Sequence, residues 1–211
     1  MGEATAEALS ADLLVDLIIS LDGYASAEGW PGWWGLEGPE YLAWLDEEAQ
    51  KDYTLLMGAN TYRLMSGMSA EAAALDSGFS EEEEASLSGL AAVPKVVFSS
   101  TVQEPLAWPN TELVSGDAVE AVREMKRTRT GTLSTLGSLS LTRSLLTAGL
   151  VDRFRLVVFP VITGKTGSER IYDGYPDVAL EMVDSKTFDG RLQLLEYVPT
   201  LLDGPPVRGP Q

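Results

Sequence analysis

The chain has 211 residues, 45% of them hydrophobic, a formal net charge of −17, and neither cysteine nor histidine. The length supports one domain with a sizeable core. The missing residue types exclude disulfides, thiolate chemistry, His-dependent nucleophiles and metal sites built from His or Cys, so no metal centre is expected and acid–base work falls to carboxylates, Tyr, Lys or water.

The acidity opposes binding to nucleic acid or to anionic membranes, both of which rely on Lys and Arg. The longest apolar stretch, Leu13 to Leu21, is short and broken by Asp16, far from the roughly 20 residues that span a bilayer. Glu3 and Glu7 replace the basic start of a secretory signal. A soluble, cytoplasmic protein is expected.

Residues 1–11 are small and polar and read as a flexible lead-in, with the domain over 12–200 and a loose Pro- and Gly-rich tail over 201–211. Leu13, Val15, Leu17, Ile19 and Leu21 alternate with Leu14, Asp16, Ile18 and Ser20, the period of a strand. Asp22-Gly23 ends it and opens a loop containing Trp30, Trp33 and Trp34. Those rings either form a stacking lid or fill a core or subunit contact.

Pro39 suits the first turn of a helix. Tyr41, Trp44, Leu45 and Ala49 form its apolar stripe, and Asp46, Glu47, Glu48 and Lys51 are expected in solvent. Tyr53 to Met57 reads as a strand, and Gly58 opens the next helix. Ser80 with Glu81 to Glu84 has the pattern of a capped helix start.

Further strands are expected at Val93–Ser99, Thr111–Val114, Thr132–Leu136 and Arg153–Ile162, with helices from Asp117 through Lys126 and from Ser138 to Ala148. The unbroken run Leu156-Val157-Val158-Phe159 suits a strand buried on both faces. Alternation returns over 178–187 and 191–198, joined by the hairpin signal Asp189-Gly190. Strands alternating with helices and closing in a hairpin indicate an α/β fold, mostly parallel, with an antiparallel edge. Gly164-Lys165-Thr166 lacks the upstream glycine of a phosphate-binding loop, since Phe159 stands there.

Four segments, in order, carry a family resemblance. They are Ile19-Ser20-Leu21-Asp22-Gly23-Tyr24, Leu55 through Tyr62, Val96 through Thr101, and Leu136-Gly137-Ser138 through Asp152 to Ile162. Over roughly residues 13–198 they resemble the dihydrofolate reductase-like family, in particular its riboflavin-biosynthesis reductase branch, the RibD C-terminal domain. The resemblance implies the three-layer dihydrofolate reductase-like fold and hydride transfer from NADPH, or NADH, to a pteridine or ribosylaminopyrimidine-type ring. It also implies a homodimer paired through the C-terminal strands.

By the same resemblance the cofactor would meet Gly58, Ala59, Asn60 and Thr61, then Ser99, Ser100 and Thr101, then Gly137, Ser138, Leu139 and Ser140. The substrate would meet Ser20, Asp22, Trp33, Trp34, Glu40 and Pro160, with Asp22 as the catalytic candidate. The glycines and helix starts in these segments suit a pyrophosphate, although Gly58 and Gly137 also suit tight turns. Asp22 equally suits a turn, and Glu40 an exposed helix start. Departures from the family pattern remove positive charge: Ala59 and Ser100 stand where basic residues are usual, and Ser138 where a second glycine is usual. Arg63, Lys126 or Arg127 are candidates to compensate. The rival reading is a non-catalytic dimer that keeps the fold and a small-molecule pocket.

Overall fold

Alternation along the first strand, β1 (Asp12–Ser20), decides which face of the sheet meets which helices. Leu13, Val15, Leu17 and Ile19 are buried with Val122, Met125, Leu141 and Leu145. Asp16, Ile18 and Ser20 therefore face the other layer. The structure is a computed structural model describing residues 10–29, 34–74 and 81–205, with no side-chain description for 81–83. Trp30, Trp33 and Ser80 lie outside the described residues.

After β1 come β2 (Tyr24–Ala27), α1 (Pro39–Glu48), β3 (Tyr53–Gly58), α2 (Ala59–Ala72), α3 (Glu81–Ala92), β4 (Lys95–Phe98) and β5 (Thr111–Val114). The chain continues through α4 (Ala118–Thr128), β6 (Thr132–Thr135), α5 (Leu139–Thr147), β7 (Arg153–Phe159), β8 (Gly167–Arg170), β9 (Val178–Phe188) and β10 (Leu192–Leu201). Among the described residues the main sheet has eight strands in the order β5-β4-β3-β6-β1-β7-β10-β9. Pairing is parallel from β5 to β7 and antiparallel across β7–β10 and β10–β9. The expected parallel sheet with an antiparallel edge is what forms.

Three apolar clusters hold the layers together. The first lies under α4 and α5. On the opposite face, Tyr41 and Trp44 of α1 pack on Val157, Phe159, Phe188, Leu192 and Leu194. Farther along the same face, Tyr62 of α2 joins Leu55, Met57, Val97 and Trp108. Strands β6 and β1 lie between these last two clusters, and there Asp16 and Ile18 are only partly covered. A furrow with a sheet floor thus separates α1 from α2.

Several expectations need correction. β7 stops at Phe159, because Pro160 follows and cannot extend a ladder. Ala11, read as part of a loose lead-in, is fully buried and its amide donates to the Lys126 carbonyl at 2.9 Å. Glu48 was expected in solvent; it is 8% exposed, drawn inward by a buried arginine. Two short strands went unread: β2 pairs with β8 in a separate ribbon, Tyr24 opposite Arg170 and Ser26 opposite Ser168.

Lys95 closes the end of α3. Its ammonium donates to the carbonyls of Leu90, Ala91 and Val93 at 2.8, 3.0 and 2.6 Å and lies 4.6 Å from the Trp108 ring centroid. Burial pushes that ammonium down to about 8.

Candidate functional site

Ligands of open α/β sheets sit at the carboxyl ends of the strands, where neighbouring connections diverge to opposite faces. Here β3 and β6 are adjacent, and α2 and α5 leave their carboxyl ends on opposite sides of the sheet. The two helix starts meet through one hydroxyl. Ser138 Oγ accepts from the Gly58 amide at 2.7 Å and lies 2.8 Å from Thr61 Oγ1.

The helix starts are not alike. Asp117 caps α4 by accepting from the Val119 and Glu120 amides. Asp189, from the β9–β10 turn, accepts from Glu40 and Tyr41 at the start of α1. Among the described residues no side chain accepts from the first-turn amides of α2 or α5. Two uncapped helix N-termini side by side concentrate amide donors and positive dipole ends where an anion could sit.

The glycines in these turns divide by cause. Gly137 and Ser138 both have positive φ, 55° and 59°, so the turn itself favours glycine at Gly137. Gly58 has φ −90°, open to any residue, and an added Cβ would meet only the Ser138 side chain, Oγ at 3.6 Å and Cβ at 3.9 Å, both ordinary contacts. Neither conformation nor packing demands glycine at Gly58. The tight-turn explanation therefore holds for Gly137 and fails for Gly58.

The loop after β4 completes this corner. Ser99 Oγ accepts from the Thr101 and Val102 amides, both at 3.0 Å. Arg63, on the second turn of α2, donates to Thr101 Oγ1 at 2.8 Å and reaches Asn60 Oδ1 at 3.5 Å. Ser100 and Asn60 are exposed beside it, while Ala59 is partly covered. Of the three basic residues suggested as compensation, Arg63 joins this corner and the other two do not. Lys126 is committed to Asp152 and the Leu150 carbonyl, and Arg127 to Glu124. Leu139 is partly covered and Ser140 exposed at the start of α5.

Asp22 sits where β1 ends, with partners drawn from its own chain. Oδ1 accepts from Ser20 Oγ at 2.6 Å, the Thr163 amide at 3.2 Å and Thr163 Oγ1 at 3.4 Å. Oδ2 accepts from the Gly164 amide at 2.8 Å. The buried Ser20 hydroxyl accepts in turn from the Tyr24 amide. Asp22 therefore clasps the loop that follows exposed Pro160 to the end of β1. The hydrogen bond from Ser20, with those of Gly164 and Thr163, lowers its carboxyl to about 2. Ionised at neutral pH, it has no proton to donate.

Glu40 is likewise engaged within the protein: Oε2 accepts from the Asp189 amide at 2.5 Å. Trp34 is partly buried against the Tyr41–Phe159 cluster, which makes it a core contact. A hollow of about 600 Å³ along residues 104–111 lies on the β4–β5 connection, away from these groups.

Sequence reading missed the most heavily charged feature of the furrow. Arg155 Nη2 donates to Asp16 Oδ2 at 2.6 Å, and Nη1 to Glu48 Oε2 at 2.8 Å. Tyr53 donates to the same Glu48 oxygen at 2.7 Å, and Lys51 binds the other. The guanidinium carbon lies 4.9 Å from the Trp44 ring centroid, a cation–π contact. Burial alone would raise the Glu48 carboxyl, but Lys51, Tyr53 and Arg155 outweigh it and hold it below the ordinary range. The available signal was one acid and one base of opposite sign, Asp16 and Arg155, each inside a strand that otherwise reads as buried.

The model of the RibD C-terminal domain matches residues 11–194. The chain belongs to the RibD C-terminal domain family. It is 26% identical over 185 residues to the uncharacterized protein YyaP of Bacillus subtilis (strain 168), covering 88% of this chain and 93% of that one.

Among solved structures, a proposed riboflavin biosynthesis protein of Shewanella sp. PV-4 superposes with a TM-score of 0.66 at 18% identity, over 90% of this chain and 99% of that one. A deaminase/5-amino-6-(5-phosphoribosylamino)uracil reductase of Thermotoga maritima gives 0.60 at 14%, over 90% and 57%. Dihydrofolate reductase of Enterococcus faecalis gives 0.56 at 14%, over 90% and 98%. The fold of this RibD C-terminal domain is therefore dihydrofolate reductase-like.

Proposed function

We propose that the protein is a nicotinamide-dependent reductase whose substrate is a pyrimidine- or pteridine-like ring. The observation that carries this reading is Gly58, a glycine that the fold does not require, set between two uncapped helix starts. Family membership and the dihydrofolate reductase-like fold agree with it, although fold alone does not carry function.

The amides of Ala59, Asn60, Thr61, Leu139 and Ser140 would hold the cofactor pyrophosphate, with Ser138 fixing their separation. Ser99, Ser100, Thr101 and Arg63 would line the adenosine side. A bound nicotinamide supplies hydride to a C=N or C=O carbon. The chain's contribution is to hold two rings in the furrow between α1 and α2. Asp22 keeps the Thr163–Gly164 loop against the end of β1, and water delivers the balancing proton.

With Ala59 and Ser100 uncharged, Arg63, bonded to Thr101 and reaching Asn60, brings a cation to this corner, which favours NADPH over NADH by a modest margin. The reading places the protein in the cytoplasm; no helix among the described residues is long and apolar enough to cross a membrane. We also propose a homodimer through β9, where Leu180, Met182 and Val183 are 44%, 53% and 44% exposed on an edge strand, a surface that isolated domains usually protect.

Titration of the protein into NADPH and into NADH, following nicotinamide fluorescence, tests the reading. Micromolar binding of either supports it. Absence of binding to both would leave the non-catalytic reading in place.

A further inference from the structure

Ser138 stands at the capping position of α5, and serine is among the best capping residues because its oxygen can accept from first-turn amides. That role needs an extended backbone. Ser138 instead has φ 59° and ψ 62°, in the left-handed region, and caps nothing on its own helix. Glycine would adopt this turn without strain. The side chain thus strains the turn and forgoes the cap, and a residue held in that way points to a use elsewhere.

Its hydroxyl is turned across the crevice toward α2. The Gly58 amide donates to Ser138 Oγ at 2.7 Å. The Ser138 and Thr61 hydroxyls lie 2.8 Å apart, so a single hydrogen serves the bond between them. The second hydroxyl hydrogen of the pair has no acceptor among the described residues. Ser138, Thr61 and Gly58 are only half-buried. The first-turn amides of α2 and α5 around them likewise meet no side-chain acceptor among the described residues. Donors converge here from two helices and a hydroxyl pair, and what they lack is an acceptor.

Cooperativity decides which hydroxyl faces outward. A hydroxyl that accepts hydrogen bonds is polarised and donates more strongly. Ser138 Oγ already accepts from Gly58, so the stronger arrangement has Thr61 donating to Ser138 and Ser138 donating to the ligand.

We propose that Ser138 donates this hydrogen to a phosphate oxygen of the bound nucleotide, with the Gly58 amide and Thr61 as positioning groups behind it. This rests on the reductase reading for the nucleotide's identity, and it goes beyond that reading by giving a direct contact to a side chain that otherwise acts as a spacer. A hydroxyl donating to an anionic oxygen makes a charge-assisted bond, which suits a pocket where Ala59 and Ser100 supply no charge.

The test uses the full chain. NADPH, NADH and inorganic pyrophosphate are titrated calorimetrically against the parent, Ser138→Gly, Thr61→Val and Thr61→Ser, with a melting curve for each. Ser138→Gly relieves the strained turn, so its loss of affinity is separable from a loss of folding. It should bind all three ligands about tenfold more weakly or worse, the worth of a hydrogen bond to a charged group. Thr61→Val should lose less, because Ser138 still faces the ligand, and Thr61→Ser should restore the parental affinity. The Thr61 variants keep the test open should Ser138→Gly not fold.

Parental affinity in folded Ser138→Gly would overturn the inference. So would an equal loss in Thr61→Val and Ser138→Gly, since both break the link between the helix starts and a spacer would respond alike to either. In both cases NADPH binding by the parent preserves the reductase reading. Pyrophosphate binding that depends on Ser138, in a parent with no affinity for NADPH or NADH, would sustain the contact and sink the reductase reading. A parent that binds none of the three ligands would sink both.

Discussion

Asp189 and Glu40, 149 residues apart in sequence, satisfy each other's backbone at the start of α1. The Asp189 carboxylate accepts from the Glu40 and Tyr41 amides, and the Glu40 carboxylate accepts from the Asp189 amide. This is a capping box assembled from two distant segments. It requires Gly38, because a Cβ there would fall 2.2 Å from Asp189 Cγ. Asp189→Ala should cost about 0.5–2 kcal/mol, the usual worth of an N-cap, measured by urea denaturation. An unchanged midpoint would show that water replaces the cap.

Gly58→Ala should fold and lose no more than about 1 kcal/mol in urea denaturation, the difference between Gly and Ala at an N-cap, since φ −90° and a 3.6 Å contact both admit a methyl group. Nicotinamide nucleotide affinity should fall at least tenfold, because the methyl would stand where the pyrophosphate approaches. Unaltered affinity would return Gly58 to being an incidental residue.

Arg63 should set the preference for NADPH. One charge-assisted hydrogen bond is worth about 1.5–3 kcal/mol, roughly tenfold to hundredfold. Arg63→Gln should bring the affinities for NADPH and NADH together without weakening NADH. A thousandfold preference in the parent, or one that survives the substitution, would mean that other groups recognise the 2′-phosphate.

Asp22 carries the acid-pH prediction. Its folded carboxyl, held at about 2, lies below its ordinary value of 3.8. Its stabilising contribution is therefore complete above pH 3.8 and is lost as pH falls toward 2. Asp22→Asn should be less stable than the parent at pH 5, with the gap closing toward pH 2, and carbon NMR of the carboxyl should give a midpoint near 2. At pH 7 activity should respond to Asp22→Asn through disturbance of the Thr163–Gly164 loop. A carboxyl midpoint at or above 3.8 for Asp22 in that titration would contradict this.

The layer order and most strands were legible because alternation and turn chemistry are local. Leu13 to Ile19 alternate visibly, Thr111–Val114 forms a strand over those very residues, and Asp117 caps α4 from the adjoining position. The family segments likewise sit at strand ends. What escaped depends on distant pairing. The strands β2 and β8 are four residues each and hold together only across some 140 residues of chain, with Ser26 against Ser168. Glu40 and Asp22 were expected to face a ligand, yet their partners, Asp189 and Thr163–Gly164, lie far along the sequence. Glu48 had the composition of a solvated helix end, and only Arg155 from β7 explains its burial.

Helix α1 is fastened at both extremities, to the β9–β10 hairpin by Asp189 and Glu40, and to β7 by Glu48 and Arg155. A helix normally frays at its ends, where backbone groups are unpaired. Clamped in this way, α1 belongs to the rigid frame of the furrow. If a ring binds there as proposed, the accommodation it demands would fall on the facing wall, where α2 starts from uncapped amides.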